Sequence, residues 1–337
     1  MRWAVLLHLG RNMWGDLRAQ KEMHFDRDLW NKAVDKCAEC GVDTIILDVG
    51  EGVRYKSHPE IGIPGSWEPE EITAEVKRLR SMGIALVPKL NFSTVHDAWL
   101  GIYERMVSTP IYYQVCKDLI EEAYEMFDHP EFIHIGMDEE TPRHADDKDY
   151  SYVALRLGDL WIKDCNYLID CVKATGAACH MWQSTFVHNE AAYDAIPNDV
   201  VVGSSHYYAH NKEKWHKISE QSEWEREYYA TRFPQRYGYT IDYIEEDPVL
   251  EIKMKGRKKL FEKGFPVAIV TTNIFIKDNE MDEAEHIKAT YSQEEIDNLD
   301  GFVACPWVMM DPDKEEVIIE QIELLGKAKA YFYSDEK

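Results

Sequence analysis

Phe132-Ile133-His134-Ile135-Gly136-Met137 is a short apolar run, and it stops at two consecutive carboxylates, Asp138-Glu139. Seven more runs of the same kind recur along the chain: Trp3–Leu9, Thr44–Val49, Ala85–Leu90, Ala177–Trp182, Val200–Ser204, Pro266–Thr271 and Gly301–Cys305. They are mostly continuous rather than alternating, the pattern of strands buried on both faces. Amphipathic stretches separate them. Leu29–Cys40 stops at Gly41, Glu70–Met82 at Gly83, Asp159–Thr175 at Gly176 and Val249–Lys263 at Gly264, each a glycine where a helix ends. Tyr112–Phe127 stops before Pro130. Eight strand-then-helix repeats without a domain-sized linker predict an α/β fold, a single-domain (β/α)8 TIM barrel over residues 1–337. A doubly wound open sheet is the alternative. An aromatic-rich insertion from Tyr207 to Pro248, carrying Trp215 and Trp224, follows the sixth strand. A loop of that length is either functional or a small packed subdomain, and here it would overhang the barrel mouth.

Composition narrows the partners. Lys and Arg number 38 against 62 Asp and Glu, a formal charge of 38 − 62 = −24. Such a field repels phosphate backbones, so nucleic acid is not expected as a partner. Hydrophobic residues make up 45%, yet none of them forms the ~18-residue unbroken run of a membrane span. The seven cysteines are scattered. Cys37 and Cys40 bracket two residues, but on a predicted helix and without a second pair. Reduced thiols and a cytoplasmic setting are the expectation. Arg2–Leu7 is too short for a signal-peptide core and reads as the first strand. Oligomeric state is not encoded in any pattern.

Barrel enzymes carry their chemistry at the C-terminal ends of the strands. The candidates there are His8, Arg11 and Asn12; Asp48, Glu51 and Arg54; Lys89, Asn91, His96 and Asp97; His134, Asp138, Glu139 and Glu140; His180, Trp182 and Gln183; Ser205, His206 and Tyr207; Thr272 and Asn273; and Trp307. His134 and His180 alternate with apolar neighbours, which favours packed core histidines over ligands. Asp138 and Glu139 read as functional. Consecutive carboxylates at a strand end are expected to point to different sides, and their repulsion raises one pKa, as general-acid work requires. Carboxylates, amides, an arginine and the flat faces of Trp182 and Trp307 together suit a small carbohydrate.

Several ordered segments resemble glycoside hydrolase family 20, the β-N-acetylhexosaminidases. They are Asp48-Val-Gly-Glu-Gly-Val-Arg54 followed by His58-Pro59-Glu60, then Met82–Pro88, His134-Ile135-Gly136-Met137-Asp138-Glu139, Met181-Trp182-Gln183 and Ala304-Cys305-Pro306-Trp307. The fourth-strand segment, close to His-Ile-Gly-Gly-Asp-Glu, is the most specific. The resemblance implies a glycosidase with Glu139 as acid/base and Asp138 orienting a substrate 2-acetamido nucleophile. It makes Arg11 a sugar-binding arginine. The substrate-binding candidates are then Arg11, Asp48, Glu51, Asn91, His134, Trp182, Gln183, His206, Tyr207, Asn273 and Trp307, with no cofactor and no metal. The sequence also departs from the family. Pro88-Lys89-Leu90-Asn91 replaces two acids, Trp307-Val308-Met309 lacks a carboxylate, and Thr272-Asn273 lacks a tyrosine. Glu51 is an alternative protein nucleophile. A metal-dependent sugar isomerase or epimerase and a non-catalytic carbohydrate-binding barrel are the competing functions. Against the isomerase, strands seven and eight offer no carboxylate or histidine to close a ligand ring.

Overall fold

The computed structural model describes residues 1–12, 20–140, 155–210 and 248–334, with isolated positions between 226 and 242. Its eight strands are β1 (Arg2–His8), β2 (Thr44–Asp48), β3 (Ala85–Lys89), β4 (Phe132–His134), β5 (Ala178–Trp182), β6 (Val201–Ser205), β7 (Val267–Thr271) and β8 (Leu299–Ala304). They form one closed barrel in sequence order. Every pairing is parallel, and β8 closes on β1 with Arg2 opposite Gly301 and Val5 opposite Ala304. The closing seam needs glycine at 301, because a Cβ there would overlap the Arg2 backbone. Closure removes the open-sheet alternative.

Helices fill every crossover: α1 (Arg27–Glu39), α2 (Pro69–Ser81), α3 (Pro110–Met126), α4 (Asp159–Thr175), α5 (Ala192–Ala195), α6 (Pro248–Glu262), α7 (Asn279–Thr290), α8 (Gln293–Asp297) and, after β8, α9 (Glu315–Phe332). Their starts are written locally. The Asp26 side chain accepts from Leu29 N at the head of α1, and Thr109 caps α3 with Pro110 behind it. The expected terminal glycines 41, 83, 176 and 264 all have positive φ. Two apolar layers result. Ala4, Leu6, Ile46, Val87, Phe132, Val270 and Val303 fill the barrel, and a larger shell including Trp3, Trp30, Trp67 and Trp161 packs strands against helices. His180 belongs to the core, stacked on Phe132 at 3.7 Å. All seven cysteines are free. Among the described residues no helix is long and apolar enough to cross a membrane.

One expectation changes. The fourth strand stops at His134 rather than Met137, because Gly136 and Met137 take φ of 69° and 63°. Most of the Tyr207–Pro248 insertion lies outside the described residues.

Gly136 is the tightest point of the β4 exit, since a Cβ there would overlap the Asn91 side-chain amide. Gly136→Ala is expected to cost about 2–5 kcal/mol, left-handed backbone and overpacking together. Gly83 also has positive φ but open space around it, so Gly83→Ala is expected to cost only about 1–2 kcal/mol. Urea unfolding of the two variants reads the difference. Equal losses would remove the steric part of the argument.

Candidate active site

The strand registers place His8 opposite Asp48, Asp48 opposite Lys89, and Lys89 opposite His134. All four are buried in the throat of the barrel. Asp48 and Lys89 form an ion pair there, with His8 Nδ1 3.8 Å from Asp48. Burial pushes the Asp48 carboxyl up, and the charge of Lys89 opposes that rise. Burial, reinforced by Lys89, holds His8 and His134 well below the ordinary histidine range. Both imidazoles are therefore neutral. The His134 Nδ1 accepts from Gly136 N at 3.0 Å, which ties the throat to the β4 exit.

A cavity of about 240 Å³ opens above this throat, on the side where the strands end. Lys89 reaches it from below, and Asn91, His96, Asp138, Glu139, Trp182, Gln183, Tyr207 and Trp307 line it. Among the described lining residues, Asp138 and Glu139 are the only carboxylates. Their backbone is held from three sides. Ser93 donates to the Asp138 carbonyl, Thr185 Oγ1 donates to the Met137 carbonyl at 3.1 Å, and Glu139 N donates to Ser184 Oγ at 2.9 Å. The Asp138 carboxylate accepts from Asn91 Nδ2 at 3.1 Å. Asn91 is fixed in turn by Trp99, whose indole N–H donates to its carbonyl at 2.7 Å.

The two carboxylates do not point apart. Glu139 has a φ of 59°, so strand alternation has ended before it. His96 Nε2 lies 3.1 Å from Glu139 and 3.7 Å from Asp138. The ligand atoms of His96, Asp138 and Glu139 all fall within 4.8 Å of one another. A histidine-carboxylate set thus does converge at the rim, from the loops after β3 and β4. The Glu139 side chain is 37% exposed and that of Asp138 is 14% exposed. Aromatic faces oppose them. Trp182 and Trp307 meet edge-on at 6.1 Å, and Tyr207 stacks on Phe275 at 5.6 Å.

Seven of the thirteen residues expected to act in catalysis or substrate binding reach the cavity: Asp138, Glu139, Asn91, Trp182, Gln183, Tyr207 and Trp307; of the other strand-end candidates, Lys89, His96 and Ser205 also line it. Six do not line it. Asp48 is occupied by Lys89. Arg11 forms a two-pronged ion pair with Asp311, at 2.9 and 3.1 Å. Glu51 is buried beneath the first loop and accepts from Arg11 N and Asn12 N at 2.7 and 3.0 Å. His134 packs under Trp182 at 4.1 Å. Asn273 is tied to α9, donating through Nδ2 to the Val317 carbonyl at 3.0 Å. His206 faces α7, and burial pulls it down to about 3. Glu140 is also withdrawn, clamped by the buried Arg156. Lys253 of α6, Phe275 and Ser184 join the lining without any sequence signal, and His96 stands out in the sequence only as a residue beyond the third strand.

No family model matches the sequence, and no curated protein matches it. Solved structures do match. One is an exo-β-N-acetylglucosaminidase of glycoside hydrolase family 20 from Vibrio harveyi in complex with N-acetylglucosamine, at TM-score 0.62 and 13% identity, covering 97% of this chain and 54% of that one. A second is a chitobiase from Flavobacterium johnsoniae, at TM-score 0.60 and 15% identity, covering 94% and 48%. A third is an N-acetyl-β-hexosaminidase from Streptomyces plicatus, at TM-score 0.55 and 12% identity, covering 96% and 63%. The chain spans about half the length of the first two. The likeness is one of fold: the barrel has the architecture of these family 20 catalytic domains.

The throat pair sets a stability test. Lys89→Met leaves Asp48 buried without its counter-charge and is expected to cost about 3–5 kcal/mol. The double variant Asp48→Leu/Lys89→Met removes both charges and should recover most of that loss in urea unfolding. A double variant no more stable than Lys89→Met would show that the pair is not what Lys89 contributes.

Proposed function

We propose that this barrel is a glycoside hydrolase in which Glu139 is the general acid/base and Asp138 orients and charge-stabilises the substrate, and that it acts on a β-N-acetylhexosaminide. The observation that carries the reading is the convergence of both carboxylates on His96 at the wall of an aromatic-lined cavity. Glu139 is the more exposed of the two, so it can reach a leaving oxygen. Asp138, less exposed and held by Asn91, is placed to stay fixed.

Separation bears on stereochemistry. Inverting enzymes keep their carboxyl groups ~6.5–9.5 Å apart to seat a water. Here the two side chains bring oxygen atoms within 4.8 Å of each other. That argues against inversion. Glu51, the alternative protein nucleophile, lies off the cavity, its Oε1 accepting from both Arg11 N and Asn12 N. A 2-acetamido group of the substrate is the nucleophile most consistent with both facts. Asp138 would then accept its N–H and stabilise the charge that develops as its oxygen attacks the anomeric carbon. Glu139 would protonate the departing oxygen and later deprotonate the attacking water. Trp182 and Trp307 offer faces for the sugar's C–H surface.

The second reading, a metal-dependent isomerase, gains one observation. His96, Asp138 and Glu139 also make a three-ligand set for a divalent ion. It requires that Asp138→Asn lose a stoichiometric metal along with turnover.

Glu139→Gln keeps the shape but removes the proton donor. Turnover of a glycoside with a poor leaving group should fall on the order of 10²–10⁴-fold. An activated aryl glycoside, whose phenolate leaves without a proton, should lose far less in the first step. Asp138→Asn should harm both substrates, and an aryl glucoside lacking the acetamido group should not turn over. Equal residual fractions on the two leaving groups in Glu139→Gln would show that Glu139 is not the acid.

A further inference from the structure

The end of β6 divides its side chains between two places. Ser205 and Tyr207 line the mouth cavity, whereas His206 turns outward to the helix layer and meets Glu283 of α7. His206 Nδ1 lies 3.7 Å from Glu283 Oε1, too far for a hydrogen bond, and this buried nitrogen has no hydrogen-bond partner. Four residues on, His210 Nε2 lies 3.3 Å from Glu283 Oε2. One ligand atom from each of His206, His210 and Glu283 falls within 4.8 Å of the other two. The group is separate from the mouth, because none of the three lines the cavity.

We propose that His206, His210 and Glu283 form a site for a divalent transition metal of the zinc class, tying the end of β6 to α7. Two imidazoles and one carboxylate are a donor set that such ions favour over magnesium or calcium. In the sequence the set is a His-x3-His pair completed by a helical glutamate, Glu283, that is distant in the chain.

The surroundings fix the ligands in place. Arg257 of α6 binds both Glu283 oxygens, at 2.9 and 3.0 Å, and is itself anchored on Ser204 Oγ at 2.9 Å. A carboxylate offers about four acceptor positions, so this fork leaves room for a metal bond. His210 is clamped between two rings, 4.1 Å from His206 and 3.7 Å from His286, the latter at an interplanar angle of 4°. Its backbone N–H donates to Asp282 at 2.5 Å. Asp282 therefore adds a second carboxylate beside the group, offsetting the positive charge of Arg257. Such outer partners orient first ligands in metal sites generally. Because Ser205 and Tyr207 flank His206, an ion here would stiffen one wall of the mouth without touching substrate.

Cobalt(II) reports the site directly. Metal-free protein titrated with Co²⁺ is expected to develop visible d–d bands that saturate at one equivalent, and Zn²⁺ should abolish them. His210→Ala and His206→Gln should each weaken binding by more than the ~10–100-fold that loss of an outer partner costs. Zn²⁺ should raise the melting temperature of the parent protein but not of His210→Ala. Three outcomes overturn the proposal: no bands with no zinc-dependent rise in melting temperature, binding unchanged in a folded His210→Ala, or bands lost in His96→Ala but kept in His210→Ala. The last would move the ion to the mouth. If His206→Gln fails to fold, His210→Ala decides alone.

Discussion

The buried ion pair between Asp48 and Lys89 is the constraint on which the mouth of this barrel depends. A lysine ammonium without water contact is tolerated only beside a counter-charge, and here the counter-charge is one strand away at the same register level. The pair converts the throat into a neutral plug. Its lysine adds to the burial that keeps His8 and His134 uncharged, and the pair sets a polar floor beneath the cavity. It also explains why Asp48, which looks from the sequence like a sugar ligand, is engaged below the cavity rather than lining it. The acid that meets the lysine is consumed by it.

Above that plug, the placement of Asp138 and Glu139 rests on how β4 ends. A regular strand would send Asp138 and Glu139 to opposite sides. Left-handed backbone at Gly136, Met137 and Glu139 breaks the alternation and turns both toward His96. Such conformations persist only where neighbours over-determine them. Ser93, Thr185 and Ser184 hold the loop by its backbone, and Asn91 fits where a side chain at 136 would be. Asn91 then has two tasks: it excludes any Cβ from 136 and it donates to Asp138.

The legible part of the sequence is the part governed by period and by local chemistry. Continuous apolar runs gave the eight strands within a residue or two, except at β4, where the glycine that matters reads as one more small strand residue. Asp138 and Glu139 were legible because their adjacency is local. Four of the six candidates that do not line the cavity share a different cause. Arg11, Glu51, Asp48 and Asn273 each satisfy a partner distant in sequence, Asp311, the first loop, Lys89 and α9 respectively, and a strand-end position does not reveal that the side chain is already engaged. Conversely Lys253 and Phe275 reach the cavity from α6 and from beyond β7, where no motif marks them.

The departures from the family 20 pattern follow from the same geometry. An acid at position 89 would place a second buried carboxylate against Asp48, with nothing to offset the repulsion. Lysine there neutralises Asp48 and leaves the carboxylates at the mouth as the only ones in the cavity lining described. An acid at position 91 would likewise face Asp138, whereas asparagine donates to it. Both replacements lower the negative charge around Asp138 and Glu139. Relative to that pattern, the carboxylates that remain in the described lining are the pair at 138 and 139, and the groups beside them are a cation and an amide.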